Sequence, residues 1–196
     1  NLRQGIVSET TGASMAMVVT LNQPLLDPAL RLPCQCHAVS GKYFLLPYGL
    51  TAGLVLKWFK NVFGDSEVRR AHATGQCPFR LLDRLAAKVP AGCEGLTLLP
   101  HLMGAGSPEF DQKVKGVFCG ITPAMGKGHF ARAILESVAC MIRRNLEALH
   151  GSGLRVREIR ALGGGARSPL WNQINADCTS IPFVTVPCAE PTSLGA

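Results

Sequence analysis

Long apolar runs are missing from this sequence. None approaches the length of a membrane span, and no signal-peptide pattern stands at the start of the sequence. Aromatics are scarce at 6%, and they do not interleave with the basic residues, whose longest clusters are the doublets Arg69-Arg70 and Arg143-Arg144. A nucleic-acid groove needs stacking rings beside a basic track, so no nucleic-acid partner is expected. Also absent is any Cys-x-x-Cys. The eight cysteines (34, 36, 77, 93, 119, 140, 178 and 188) contain one Cys-x-Cys. Within that pair Cys34-Gln35-Cys36-His37 is the best metal candidate, but no second ligand pair has zinc-site spacing. Free thiols buried in a reducing cytoplasm are the expectation, with Cys140 on the apolar side of its helix. No Gly-x-Ser-x-Gly elbow occurs. The histidines are isolated from one another, and no carboxylates pair for acid–base work.

What remains is a globular composition. Hydrophobic residues make up 47% and charged residues 17% of 196 residues, enough for one large domain. The formal net charge of +7 suits an anionic small molecule such as a nucleotide or sugar phosphate. The first residue is Asn1, so the chain is expected to be a piece of a longer polypeptide.

Residues 5–8 and 13–20 read as two strands around the turn Glu9-Thr10-Thr11-Gly12. A third strand is expected over Lys42–Pro47, then a helix over Thr51–Phe63 with Leu54, Val55, Trp58, Phe59 and Val62 on one face. A second helix covers Phe79–Lys88. Residues 96–100 and 116–121 read as strands. The strongest helix spans Gly128–His150, with Phe130, Ile134, Val138, Met141, Ile142 and Leu149 as its stripe. Arg132–Glu136 and Arg143–Glu147 are i,i+4 pairs on its wet side, and Gly151 is the expected residue just past its end. A strand over 158–162, a helix from Pro169 to Cys178 and a strand over 182–186 complete an α/β or α+β sheet.

The most informative stretch is Leu162-Gly163-Gly164-Gly165-Ala166-Arg167-Ser168-Pro169-Leu170-Trp171. A strand runs into three glycines, and a helix opens with Ser168 as N-cap and Pro169 at the first position. Side-chain-free backbone at a helix mouth can lie close to a planar base or ribose, although such a turn also serves plain packing. It is not the Rossmann fingerprint, since Ser168 stands where the third glycine belongs. Gly120 to Gly128 imitates a phosphate loop, with five residues between the glycines where four are needed and Gly128 in place of a hydroxyl residue. Thr10, Thr11 and Gly12 offer hydroxyl and N–H donors to a phosphate, or form an ordinary turn. Gly53 and Lys57 lie one helical turn apart, where a missing side chain beside an ammonium suits a nucleotide; an ordinary surface lysine is the alternative.

Four motifs in order then resemble a known family. Gly116-Val117-Phe118-Cys119-Gly120-Ile121, followed after seven residues by His129-Phe130-Ala131-Arg132-Ala133-Ile134-Leu135-Glu136, is similar to the C-terminal signature of the FGGY carbohydrate kinases. Leu99 to Pro108 resembles the loop preceding it in the xylulokinases, Leu162 to Trp171 resembles the family's adenine-binding segment, and Leu194-Gly195-Ala196 resembles the start of its final helix. The resemblance implies an α/β, ribonuclease-H-like (actin/hexokinase-type ATPase) domain, a mixed sheet with helices on both faces. Residues 1–196 would be the second, nucleotide-binding domain, with the N-terminal sugar-binding domain outside the chain. It implies ATP and Mg2+ as cofactors, a sugar substrate (D-xylulose first; gluconate, ribulose or glycerol as alternatives), a cytoplasmic location and a homodimer. A non-catalytic nucleotide-binding module on the same fold is the rival from another class. By position Thr10 would contact phosphates, with Thr11 and Gly12 beside it. Gly53 and Lys57 would contact the nucleotide, and Gly164, Gly165 and Ala166 would line the adenine site. The catalytic aspartate and the Asp-Gly-Thr segment near Mg2+ belong to the first domain of the family. Two departures stand out: Lys57, where relatives carry an uncharged or acidic residue, and Ala105-Gly106, which replaces a Glu-Arg pair.

Overall fold

A computed structural model describes residues 2–186. The expected helix start at Leu194-Gly195-Ala196 and the cysteine at 188 lie outside the described residues.

Strand β1 (Ile6–Thr11) turns through Gly12, Ala13 and Ser14 into antiparallel β2 (Met15–Leu21), with Thr11 opposite Met15. The turn thus lies three residues later than the sequence suggested, and Glu9, Thr10 and Thr11 belong to the strand. The alternation explains this: Val7, Glu9 and Thr11 fall on one face with Met15, Met17 and Val19, and all six are buried. β3 (Cys34–Cys36), β4 (Tyr43–Leu45) and β5 (Tyr48–Gly49) extend the sheet beyond β2. β3 and β5 have too few residues to show a period. A separate ribbon pairs β6 (Thr97–Leu99) with β7 (Val117–Cys119). On the other side of β1, β8 (Glu158–Leu162) and β9 (Phe183–Thr185) join in parallel, so the main order is β3-β4-β2-β1-β8-β9. The sheet is mixed, as expected.

The helices are α1 (Gly53–Phe63), α2 (Asp65–Thr74), α3 (Pro78–Ala86), α4 (Lys127–Gly151) and α5 (Pro169–Thr179). α2 escapes sequence reading because Ala71 is its one buried residue, which leaves no apolar period to detect. α4 continues through Gly151, with Ser152 as its cap. Gly153, at φ +83°, takes the left-handed position expected of Gly151. The core joins Val7, Met15, Met17 and Ile159 of the sheet to Val55 and Phe59 of α1, Leu82 of α3, Ile134, Val138, Ile142 and Leu149 of α4, and Trp171 of α5. The opposite sheet face carries half-buried residues, among them Ile6, Thr10, Val18 and Leu162.

The cysteines differ from expectation. All seven described ones are free, yet Cys93 alone is buried, while Cys36, Cys77, Cys119 and Cys140 are exposed. For Cys140 the cause is helical geometry. At 3.6 residues per turn it stands roughly 200° round the helix from both Val138 and Ile142, which face the core.

The two i,i+4 pairs form as read, Arg132–Glu136 at 2.7 Å and Arg143–Glu147 at 3.2 Å. Replacing Ile134 by Ala should cost about 2–5 kcal/mol in urea unfolding, because the side chain is fully enclosed. Glu147→Ala, on the exposed pair, should change stability by less than about 0.5 kcal/mol.

Candidate nucleotide site

Three segments far apart in sequence meet at the end of β1. The first is the hairpin turn. Its carbonyls cap α1: Gly53 N–H donates to Gly12 O at 3.0 Å, and Ala52 and Leu54 N–H donate to Ala13 O at 2.9 and 3.0 Å. Helix α1 has no side-chain cap, so the turn satisfies amides that would otherwise be orphaned. The second is α1 itself, anchored just upstream where the buried Thr51 hydroxyl donates to the Pro100 carbonyl. The third is the glycine turn between β8 and α5, carried alongside β1 because Thr10 pairs with Leu162.

The glycines there divide into two kinds. Gly53, Gly163 and Gly165 are required by the chain's own packing. A Cβ on Gly53 would lie 2.3 Å from Gly12 O, one on Gly163 would lie 2.7 Å from Thr11 O, and one on Gly165 would lie 2.6 Å from Thr11 Cγ2. Gly163 also has φ +79°, the left-handed region. Gly12 and Gly164 are different. A Cβ on either would meet nothing nearer than 4.0 Å, and neither has the positive φ that favours glycine. Both are exposed, and Gly164 lies beside the carbonyl of Thr11, next to Gly12. Together they form a shelf whose bareness nothing among the described residues demands.

The turn enters α5 through a short 3-10 turn (Gly165–Arg167), not directly. Ser168 caps α5 as expected, accepting from Trp171 N–H at 3.1 Å. Asn172 Nδ2 donates to Ala166 O at 2.9 Å and holds the turn down on the helix, while Trp171 Nε1 donates to Leu135 O at 3.2 Å and ties α5 to α4. Asp83 of α3 lies beside Ser168. Burial raises its pKa, opposed by the hydrogen bond to Ser168 and by Arg80. Lys57 follows Gly53 by one turn of α1, exposed and without an ion-pair partner among the described residues.

One residue at the site escaped the sequence reading as a distinct group. Glu9 is 2% exposed, and its Oε1 accepts from Thr11 Oγ1 at 2.6 Å. The Thr11 hydroxyl is therefore engaged inward, and Thr10, on the other strand face, carries its own hydroxyl half-buried. Burial pushes the Glu9 carboxyl up to about 7, the Thr11 hydrogen bond working against it. The signal was present in the alternation Val7-x-Glu9-x-Thr11, which puts the carboxyl on the core face. Among the described residues no three His, Cys, Asp or Glu side chains group as a metal site.

The loop Gly104–Asp111 packs against the same body. Ser107 Oγ donates to Asn145 Oδ1 of α4 at 2.8 Å and accepts from Tyr48 N–H at 2.6 Å. A Cβ on Gly106 would fall 2.3 Å from Tyr48 O, and Ala105 is buried, so this packing has no room for a Glu-Arg pair at 105–106.

A mixed sheet with parallel strands beside the hairpin, and a glycine turn meeting the hairpin tip, defines a domain of the actin/hexokinase-like ATPase fold. Solved structures agree. The chain superimposes on xylulose kinase from Lactobacillus acidophilus with TM-score 0.83 at 27% identity, covering 98% of this chain and 37% of that one. On gluconate kinase from the same organism the TM-score is 0.82 at 26% identity, with the same coverage. The family model described as "FGGY family of carbohydrate kinases, C-terminal domain" matches residues 8–196, and the chain belongs to that family. Among curated relatives it is 30% identical to gluconokinase of Bacillus subtilis over 200 residues, covering all of this chain and 38% of the relative. It is 31% identical to xylulose kinase of Escherichia coli over 142 residues, covering 72% of this chain and 27% of the relative. The matches thus cover only 27–38% of the length of these curated relatives.

Gly53→Ala should destabilise the fold by about 1–3 kcal/mol in denaturant unfolding, because backbone cannot yield at 2.3 Å, whereas Gly164→Ala should leave stability within about 0.5 kcal/mol. Glu9 is raised from 4.5 to about 7, so the folded state holds its proton more tightly than the unfolded chain. That stabilisation is complete below pH 4.5 and is lost as pH rises through 7, a change of order 3 kcal/mol. Unfolding curves between pH 5 and 8 should show the loss in the parent protein and not in Glu9→Gln.

Proposed function

We propose that the chain is the ATP-binding half of an ATP-dependent sugar kinase whose N-terminal domain supplies the sugar site and the catalytic base. The observation that carries this reading is the bare shelf at Gly12 and Gly164, two glycines with no conformational or packing reason among the described residues, in a family of carbohydrate kinases. ATP, when bound, supplies the γ-phosphoryl group that passes to a primary hydroxyl of the sugar. Gly164, Gly165 and Ala166 form the wall for the adenine, and Thr10 and the bare turn at Gly12 face the phosphates. Lys57 contributes an unpaired cation on the same helix face as Gly53. The net charge of +7 draws in a polyphosphate. Mg2+, when bound, would neutralise charge on the phosphates; it keeps several waters and needs few protein ligands, so it is compatible with a wall that groups no three His, Cys, Asp or Glu side chains among the described residues. Closure of the two domains would exclude water from the transfer. The cytoplasm, where ATP is plentiful, is the proposed location.

D-xylulose is the proposed sugar, supported by the xylulose kinases among the relatives and solved structures. Gluconate is the second reading. The Bacillus gluconokinase aligns over the entire chain, and the tight packing of Ala105-Gly106 departs from the xylulokinase loop.

Phosphoryl transfer requires nucleophile, metal and γ-phosphate to be positioned together. The purified chain should therefore bind ADP, seen as a rise in Tm or by calorimetry, yet show no steady phosphorylation of D-xylulose or gluconate. Sustained turnover by these 196 residues would refute the division of labour, and absence of any nucleotide effect would refute the shelf as an ATP site. Lys57→Ala should weaken ADP binding by about three- to tenfold without changing Tm of the free protein.

A further inference from the structure

Two thiols from different helices meet on the surface of the α4–α5 pair. Cys140 lies mid-way along α4 and Cys178 in the last turn of α5, and their sulfurs are 3.9 Å apart. No other sulfur–sulfur contact occurs among the described cysteines. Fixed structure imposes the approach. Trp171 Nε1 bonds to Leu135 O across the two helices, and Arg143 Nη1 donates to the carbonyl of Cys178 itself at 3.1 Å. A disulfide needs its sulfurs at about 2.0 Å, a closure of side-chain rotation once the backbones are in register.

The two sulfurs are not equivalent. Cys140 is exposed, and Cys178 is half-buried behind it. Arg143, three residues on in α4, places its guanidinium on the same helix face as Cys140. The Cys178 thiol hydrogen-bonds to Cys140 and, with Arg143, lowers the Cys140 pKa to about 7, with burial and Glu136 opposing. The same contact, together with burial, raises Cys178. Cys93 supplies the contrast. Burial and the neighbouring Glu136 push its thiol up to about 12, and it is closed to solvent. An exposed thiol in contact with a second, half-buried one is the arrangement of an attacking and a resolving cysteine.

We propose that Cys140 and Cys178 form a redox-responsive dithiol, with Cys140 attacking and Cys178 resolving, whose oxidant is a low-molecular-weight disulfide of the glutathione type. The Cys140 thiolate attacks one sulfur of the oxidant RSSR. The RS–SR bond breaks, RS⁻ leaves, and Cys140 is held as a mixed disulfide. Cys178 then loses its proton to solvent and attacks the Cys140 sulfur, and the second RS⁻ departs as the protein disulfide forms. The two protein thiols give up two electrons and two protons, which the oxidant takes up as two RSH. The bond ties the C-terminal turn of α5 to α4, and the other end of α5 carries the glycine turn. This inference is independent of the nucleotide reading and stands or falls by itself.

The test uses the purified protein equilibrated with oxidised glutathione, followed by alkylation of the remaining thiols and peptide mass spectrometry. The expected product is a Cys140–Cys178 crosslink that dithiothreitol reverses, with a Tm raised by a few degrees over the reduced protein. Cys178→Ser should accumulate a stable glutathione adduct on Cys140, while Cys140→Ser should be modified at position 178 about tenfold more slowly or less. Alkylation of both Cys140 and Cys178 after equilibration, a crosslink between other cysteines, or equal reactivity of the two single variants would overturn the proposal. Cys140 is exposed and Cys178 is half-buried against the edge of the core, so the Tm of each reduced variant is compared with the parent to confirm that both fold.

Discussion

The backbone contact between Gly12 and Gly53 is the constraint on which the rest of the site depends. Helix α1 has no side-chain cap, and its first amides are taken up by the carbonyls of the hairpin turn. That union holds only while position 53 lacks a Cβ, since the carbonyl of Gly12 would lie 2.3 Å from one. With α1 docked, the hairpin tip has a fixed direction, and Thr11 becomes the surface on which Gly163 and Gly165 rest. The parallel pairing of β1 and β8 brings the third segment in, because Thr10 and Leu162 are opposite each other. One backbone junction and one strand pairing therefore bring residues 10–12, 53 and 163–166 to a single place.

Runs of glycine are ambiguous in a sequence because packing and ligand approach both ask for a missing side chain. In this domain the two demands separate. Gly53 and Gly163 answer to the chain's own backbone and Gly165 to the Thr11 side chain, while Gly12 and Gly164 leave open space. The same distinction applies to Thr10 and Thr11. They are neighbours in sequence but opposite in direction, and Glu9 draws the Thr11 hydroxyl into the interior. A buried carboxyl one residue from a proposed phosphate contact couples the stability of that strand to pH, independently of any nucleotide.

Much of this was legible from residues alone. The apolar stripe of α4, its two ion pairs, the Ser168 cap and the late strand–helix–strand pattern all rest on local periodicity or local hydrogen bonding, which a sequence displays directly. The order of four motifs carried the family, and the matches to carbohydrate kinases agree with it. Other features depend on tertiary contacts. The hairpin turn moved to Gly12–Ser14 because burying Val7, Glu9 and Thr11 on one face outweighs the turn preference of Thr-Thr-Gly. α2 has a single buried residue and hence no stripe, and it is held through contacts such as the Lys127–Glu67 ion pair at 2.7 Å. The exposure of Cys140 turns on which side of α4 faces the core with Val138 and Ile142, something composition cannot supply.

In the proposed function the chain is half of a two-domain machine, with one wall of a nucleotide site prebuilt from backbone. A crystal structure of the chain with ADP tests this most directly. The account predicts adenine density against Gly164–Ala166 and phosphate density beside Thr10 and Gly12, with the protein backbone of all three segments unmoved. Nucleotide bound elsewhere, or a glycine turn that must leave Thr11 to admit it, would contradict the claim that these three segments form the site.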